Sequence, residues 1–280
     1  MNWSAEAEEI RRRRELALAH GGNAAVTRQH EKGRLTIRER IDVLLDEGSF
    51  EEVGPAAGSG VRDEDGQLVG FDPANFILGF GKINSQRVVV GGEDFTVRGG
   101  SPSPAGLRKS VYTEELALQY RVPLVRLQEG AGGSVGGTSG KGENLPGPVF
   151  ATPRFKSVAE CMATLPVATA ALGAVAGLPA ARLVASHFSV MSKATAQIMT
   201  AGPAVVERAM GEKTTKEDLG GWKVHTKNGT VDNAGEDEAD SLAQIRRFLS
   251  YLPPNVDTLA SVTACDDPVD RAEETLIDIV

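Results

Sequence analysis

The chain has little of what side-chain catalysis usually needs. Of its 280 residues only 2 are cysteine and 4 are histidine. Cys161 and Cys265 are far apart, and His20, His30, His187 and His225 are scattered as surface or packing residues are, so no metal site is expected. No Ser–His–Asp order and no phosphate-binding Gly-Lys-Ser/Thr loop occurs. Two lone thiols suit a reducing compartment. The first ten residues lack the apolar stretch of a signal peptide, so a cytoplasmic protein is expected. Aromatic residues are only 5% of the chain, which disfavours an aromatic-rich β-sandwich. No apolar run approaches the roughly 18 residues of a membrane-spanning helix. The longest small-residue stretch, Ala168 to Ala181, is interrupted by Gly173, Gly177 and Pro179. Positive charge is also short. A net charge of −8 argues against general nucleic-acid affinity.

What is plentiful is small and apolar. Glycine numbers 32 and apolar residues make up 41%, a balance that suits the tightly packed layers of an α/β fold. The length is at the upper end for one hydrophobic core. The main basic cluster, Arg11 to Arg14, is interleaved with Glu8, Glu9 and Glu15, as on a solvated helix face. Contact with a nucleotide or CoA phosphate is the less favoured alternative.

Residues 1–47 read as two helices parted at Gly21–Gly22. Within them, Ile37, Ile41, Leu44 and Leu45 share one helical face. Thr36 is placed as an N-cap with Glu39 three residues on, a capping box. From Phe50 the texture changes to short β-branched runs: Phe76 to Phe80, Arg87 to Gly91 and Val122 to Leu127. Each is apolar almost throughout, as a strand buried on both faces must be. Leu107 to Tyr120 reads as a helix between the last two. A second unit follows, with helix over Phe155 to Ala163, strand over Pro166 to Leu172, a glycine-interrupted turn, helix over Ala180 to Ala185 and strand over Phe188 to Met191. Such alternation predicts crossover connections. Glu236 to Leu252 is an amphipathic helix ended by Pro253-Pro254, and no internal repeat is evident. The expected organisation is a helical segment over 1–49, a main domain over 50–254, and an acidic linker or docking arm over 255–280.

Three glycine-rich stretches follow strands. Gly91 to Ser101 contains Gly99 and Gly100, which let backbone approach backbone or a ligand; GG turns also occur in many folds for packing alone. Glu129 to Gly137 contains Ala131, Gly132 and Gly133, whose amides, past the end of a strand, are free to hold a developing oxyanion. A mobile loop is the alternative. The spacing does not fit a dinucleotide fingerprint, since no helix with an acidic residue about 20 positions later follows. Leu172 to Leu178 opens a helix, with Ala176, Gly177 and Leu178 at its start. Such a start favours an anion, or only close packing.

Several strings together carry a resemblance. Arg28 to Glu52, reading RQHEKGRLTIRERIDVLLDEGSFEE, resembles the amino-terminal segment of biotin-dependent acyl-CoA carboxyltransferase subunits of the propionyl-CoA and methylcrotonyl-CoA carboxylase β type. Asp94 to Ser101 resembles that family's DFTVxGGS element, and Ala201 to Gly221 its TGPxVV…GExxTxEELGG run. Ala131 and Gly132 stand where the family's SGGAR has its paired glycines, and Ala176, Gly177 and Leu178 where it has AGG. Ser134 replaces the arginine of the first motif and Leu178 the second glycine of the other. The tract Gly136 to Pro148 also departs from the family, and His225-Thr226 matches its Thr-His pair only in reversed order.

The resemblance implies a crotonase-type fold, a ClpP-like spiral of ββα units preceded by helices. It implies catalysis by backbone donors at Ala131, Gly132, Gly177 and Leu178, with Gly99, Gly100, Gly133 and Ala176 lining the substrate. An acyl-CoA enolate would be held there while carboxyl passes to it from carboxybiotin. Biotin would be borne by a partner carrier working with a biotin carboxylase. Members of the family have a second crotonase-type domain, so the site is expected to be completed by such a domain or subunit in a homo- or hetero-oligomer. An acyl-CoA decarboxylase subunit and a non-catalytic assembly subunit are the alternatives.

Overall fold

A computed structural model describes residues 3–101, 103–130, 132, 155–262 and 264–279. Three helices come first: α1 (Ser4–Leu18), α2 (Asn23–His30) and α3 (Ile37–Leu44). The expected pair is thus three, because the chain breaks a second time at Gly33, which takes φ of +69°. A new helix is then capped at Thr36, whose hydroxyl accepts from the Glu39 amide while the Glu39 carboxylate accepts from the Thr36 amide. The capping box is as the sequence predicts.

Strands β1 (Glu51–Glu52), β2 (Gly58–Arg62), β3 (Leu68–Pro73), β4 (Phe76–Ile83) and β5 (Gln86–Glu93) follow. Next are α4 (Pro104–Tyr120), β6 (Leu124–Gly130), α5 (Lys156–Thr164), β7 (Val167–Ala176), α6 (Leu178–Val184), β8 (Phe188–Ser192) and β9 (Gln197–Met199). Helices α7 (Pro203–Met210), α8 (Lys216–Gly220) and α9 (Trp222–His225), strand β10 (Asn233–Gly235) and helix α10 (Glu238–Ser250) complete the regular structure. Short 3₁₀ segments lie at Arg98–Gly100 and at Glu274–Ile279, the latter in the largely exposed stretch beyond Asn255.

The main sheet runs β1-β4-β5-β6-β7-β8-β10, with β9 also on β7. The β4–β5 hairpin is antiparallel, whereas the pairs from β5 to β10 are parallel. Both faces are covered, as parallel sheets require. Alternation along the strands sorts the core. Val88, Val90, Val125, Leu127, Ala168, Ala170 and Leu172 point to α3 and α10, meeting Ile37, Ile41, Leu44, Leu242 and Ile245. Val89, Leu124 and Val167 point the other way, onto Leu116 and Ala117 of α4 and Cys161 of α5. Each large aliphatic side chain so buried contributes about 1.5–3 kcal/mol.

A second expectation also fails. Residues 173–176 are not a turn, because β7 continues to Ala176. Gly173 is an interior strand residue, needed because a Cβ there would lie 2.2 Å from Glu129 Oε1.

Candidate active site

Strand β6 ends in the acid that organises this region. Glu129 is fully buried. Arg40 Nη1 lies 2.6 Å from its Oε2, Gln29 Nε2 donates to the same oxygen at 2.6 Å, and Arg34 Nη1 donates to Oε1 at 3.0 Å. Arg40 also grips Glu238 at the start of α10, through Nε at 2.8 Å and Nη2 at 2.7 Å, and donates to the Leu172 carbonyl at 3.2 Å. Burial pushes the Glu238 carboxyl up from its ordinary range, against the opposing pull of Arg40. One buried cluster therefore ties α2, α3 and α10 to the exits of β6 and β7.

Immediately beyond Glu129 the two strand exits meet. Gly132 has φ of +67°, and a Cβ on it would come 2.6 Å from the Ala176 carbonyl oxygen and 3.4 Å from Gly177 Cα. Gly177 also has φ of +67°, and its Cβ position faces Gly132 Cα at 3.5 Å. The Gly177 amide donates to the Met199 carbonyl at 3.2 Å. The next amide, Leu178, is the first of α6, where an α-helix leaves its N–H groups without intrahelical acceptors. On the third side, Gly100 has φ of +65° and packs against β6, its Cβ position 2.5 Å from the Glu129 carbonyl oxygen and 2.9 Å from Gly130 Cα.

Beside this meeting point lies a narrow cleft, walled by Glu93, Gly100, Leu178, Pro179 and Arg182. Burial raises the Glu93 carboxyl to about 7. The Glu129 amide donates to Glu93 Oε2 at 3.4 Å. With its amide nitrogen turned toward Glu93, Gln128 donates to both oxygens at 3.1 and 3.2 Å.

Comparison with known proteins decides the family. Residues 28–280 match the carboxyl transferase domain family model. The chain belongs to that family. It is 33% identical over 273 residues to the propionyl-CoA carboxylase beta chain of Cereibacter sphaeroides, covering 96% of this chain and 52% of that one. To the mitochondrial propionyl-CoA carboxylase beta chain of Homo sapiens it is 33% identical over 279 residues, covering 98% of this chain and 50% of the other. The chain thus spans about half the length of the curated relatives it matches. Among solved structures, transcarboxylase 12S with methylmalonyl-coenzyme A bound superposes with a TM-score of 0.78 at 28% identity, over 100% of this chain and 54% of that one. The beta subunit of Pseudomonas aeruginosa geranyl-CoA carboxylase gives 0.66 at 26% identity, over 87% and 47%. The fold is the crotonase-like α/β fold of these carboxyltransferases.

Of the residues singled out from sequence, Gly132, Ala176, Gly177 and Leu178 come together at the exits of β6 and β7, and Gly100 joins them from the β5 side. Gly99 lies across the turn, in a second hollow with Arg28, Lys32 and Phe95. Ala131, Gly133 and Ser134 fall outside the described residues, as does the tract 136–148. Arg11 pairs with Glu8 on the solvated face of α1, as expected, whereas Arg13 pairs with Glu9 half-buried and lies over the Phe71 ring. Among the described residues no three metal-ligating side chains cluster, and no helix is long and apolar enough to cross a membrane.

Sequence reasoning missed the buried ionic residues. One signal was available. Arg40 sits on the same helical face as Ile37, Ile41 and Leu44, and a charge on an apolar stripe needs a buried partner. Glu93 and Arg182 gave no comparable signal, because their neighbours come from elements distant in sequence.

Proposed function

We propose that this chain is the acyl-CoA half of a carboxyltransferase, which holds the thioester oxygen of its substrate and stabilises the enolate for carboxyl transfer. The observation that supports this most directly is the contact of Gly132 with Ala176 and Gly177, which draws the two strand exits to within van der Waals distance. Amides at Ala131 or Gly132 on one side and Leu178 on the other supply the donors. Gly177 contributes conformation, since its own N–H is engaged by Met199. Backbone donors fixed by the fold need no reorganisation as charge develops, and such stabilisation is a leading contribution to catalysis.

In this reading biotin carried by a partner protein would supply the carboxyl group and the base for the α-proton. The chain's own residues bind and orient the thioester and hold the enolate oxygen. A second domain or subunit completes the site in an oligomer. The organisation is a helical segment over 1–49, the acyl-CoA domain over 50–254 and an arm over 255–280. Two unpaired thiols, Cys161 and Cys265, suit a cytoplasmic location.

Calorimetric titration with propionyl-CoA, followed by a transferase assay in the assembly the chain is purified in, tests the reading. Binding is expected, with turnover lost in Gly132→Val. No heat of binding, or a Gly132→Val protein as active as the wild type, rejects it.

A further inference from the structure

Arg182, on α6, lines the narrow cleft and is 4% exposed. Its Nε donates to Glu114 Oε1 at 3.0 Å and its Nη1 to Ser110 Oγ at 3.2 Å. Its Nη2 is buried and has no acceptor among the described residues. Glu114 does not belong to Arg182 alone. Arg126 Nη2 donates to the same Oε1 at 3.0 Å, and Ser157 donates to Oε2. Cys161, beside this group, stays a neutral thiol because burial pushes its pKa up to about 12. Two guanidinium groups thus share one carboxylate, and one positive charge is left over in the interior. A buried cation of this kind is costly unless an anion stands close to it.

Glu93 lines the same cleft without closing on the cation. Its oxygens accept from the Gln128 amide and the Glu129 N–H, and Arg182 makes its ion pair with Glu114 and none with Glu93. The cleft they share has room for about one water-sized body. Phe76, Leu107 and Pro179 supply apolar wall. Asn75, 2% exposed, has one N–H left after its Nδ2 donates to the Ser101 carbonyl. We propose that this cleft binds a single halide ion, chloride in practice, held by Arg182 Nη2 and the remaining Asn75 N–H. Its size admits a monatomic anion and shuts out a carboxylate, a sulfate or a phosphate. Halides are weakly hydrated and tolerate apolar walls, and one such ion cancels the one charge in excess. It would tie α6 to the turn between β3 and β4. Nothing in this site depends on the acyl-CoA reading.

Glu93 competes with the halide for the same cation. The groups facing it are Arg182 from α6, the Gln128 amide and the Glu129 backbone from β6, and the Glu129 carboxylate, itself held by Arg34 and Arg40. From β4 and α4 the cleft receives Phe76, Leu107 and Ser110, which carry no charge. Below about pH 7 Glu93 carries a proton, and the halide is what answers Arg182. Above that pH Glu93 ionises, supplies the negative charge itself and repels the halide. Halide binding is therefore coupled to proton uptake at Glu93, and it weakens as the pH rises.

Thermal unfolding of the protein in its purified assembly tests this, with sodium chloride or sodium bromide replacing sodium gluconate at constant ionic strength. At pH 6 both halides are expected to raise Tm along a saturating one-site curve relative to gluconate, which is too large for the cleft. The half-saturating concentration should rise more than about tenfold between pH 6 and pH 8.5, and Glu93→Gln should hold it constant. Arg182→Met should abolish the halide response. In crystals grown with bromide at pH 6, one anomalous peak should lie within hydrogen-bond reach of Arg182 Nη2. Should Arg182→Met fail to fold, the bromide peak and the near-isosteric Glu93→Gln decide. A Tm that is the same in all three salts, or a cleft that holds water with no anomalous signal, overturns the site.

Discussion

Arg40 and Glu129 meet at 2.6 Å with both side chains almost wholly out of water. The arginine comes from the third helix and the acid from the last turn-in of a central strand, so the pair closes a loop of nearly ninety residues. Glu238 stands on the other side of the same guanidinium. Removing Arg40 would leave two buried carboxylates facing the gap. Breaking a buried pair in this way costs about 3–5 kcal/mol. Arg40→Met is therefore expected to lose that much in a denaturant unfolding curve at pH 8. Protonating Glu238, whose carboxyl burial pushes up, relieves the repulsion, so the deficit should shrink at pH 5. A variant within 1 kcal/mol of the wild type at pH 8 would mean that water reaches the cluster.

The two glycines at the strand exits carry different demands. Both have φ of +67°, but a Cβ on Gly132 meets backbone at 2.6 Å whereas one on Gly177 finds ordinary contact distance. Gly177→Ala is expected to cost about 1–2 kcal/mol of stability through left-handed backbone strain, with modest loss of transferase activity. Gly132→Ala must push β6 and β7 apart by a sizeable fraction of an ångström. Displacement of about 1 Å at a catalytic group costs roughly 100-fold in rate. Steady-state kinetics of the two variants side by side would show this order; a reversed order would remove Gly132 from the site.

Much of this was legible in the chain, for identifiable reasons. The capping box at Thr36 and Glu39 is a local contract, written within four residues. The strands over Phe76 to Phe80 and Val88 to Gly91 were readable because burial on both faces leaves no polar position in them to confuse the pattern. Gly173 was not readable. It looks like a turn glycine, yet it is a strand residue whose missing side chain makes room for Glu129, forty-four positions earlier. The motif from Arg28 onward marked the family without showing its purpose. That purpose needs three dimensions, since Gln29, Arg34 and Arg40 all converge on Glu129. The cleft residues Glu93 and Arg182 were invisible for the same reason.

The two thiols should behave as opposites. Cys161 is buried against α4, its Sγ 3.6 Å from the Glu114 carbonyl, and burial pushes its pKa up to about 12. Thiolate is the reactive form, so Cys161 should resist alkylation at neutral pH. Cys265 is exposed. Iodoacetamide at pH 7.5 is expected to label Cys265 alone in the native protein and both in denaturant, as read by peptide mass spectrometry. Equal labelling of the two in the native protein would show that the α4–α5 layer opens.

Glu93 should leave a signature in stability. Its folded-state pKa, raised by burial to about 7, stands above the ordinary carboxyl value of 4.5. A group raised in this way is fully stabilising only below its unfolded pKa, and that contribution is lost as pH climbs through the folded value. The loss runs at up to about 1.4 kcal/mol per pH unit, or about 3 kcal/mol between pH 4.5 and 7. Glu93→Gln cannot ionise and removes this component. The difference in unfolding free energy between variant and wild type should therefore move in the variant's favour from pH 5 to pH 7 and level off above it. Taking the difference cancels other groups that titrate in the same window. A difference that stays flat across the range would mean that Glu93 is ionised in the folded protein throughout, held so by Arg182 and the Gln128 amide.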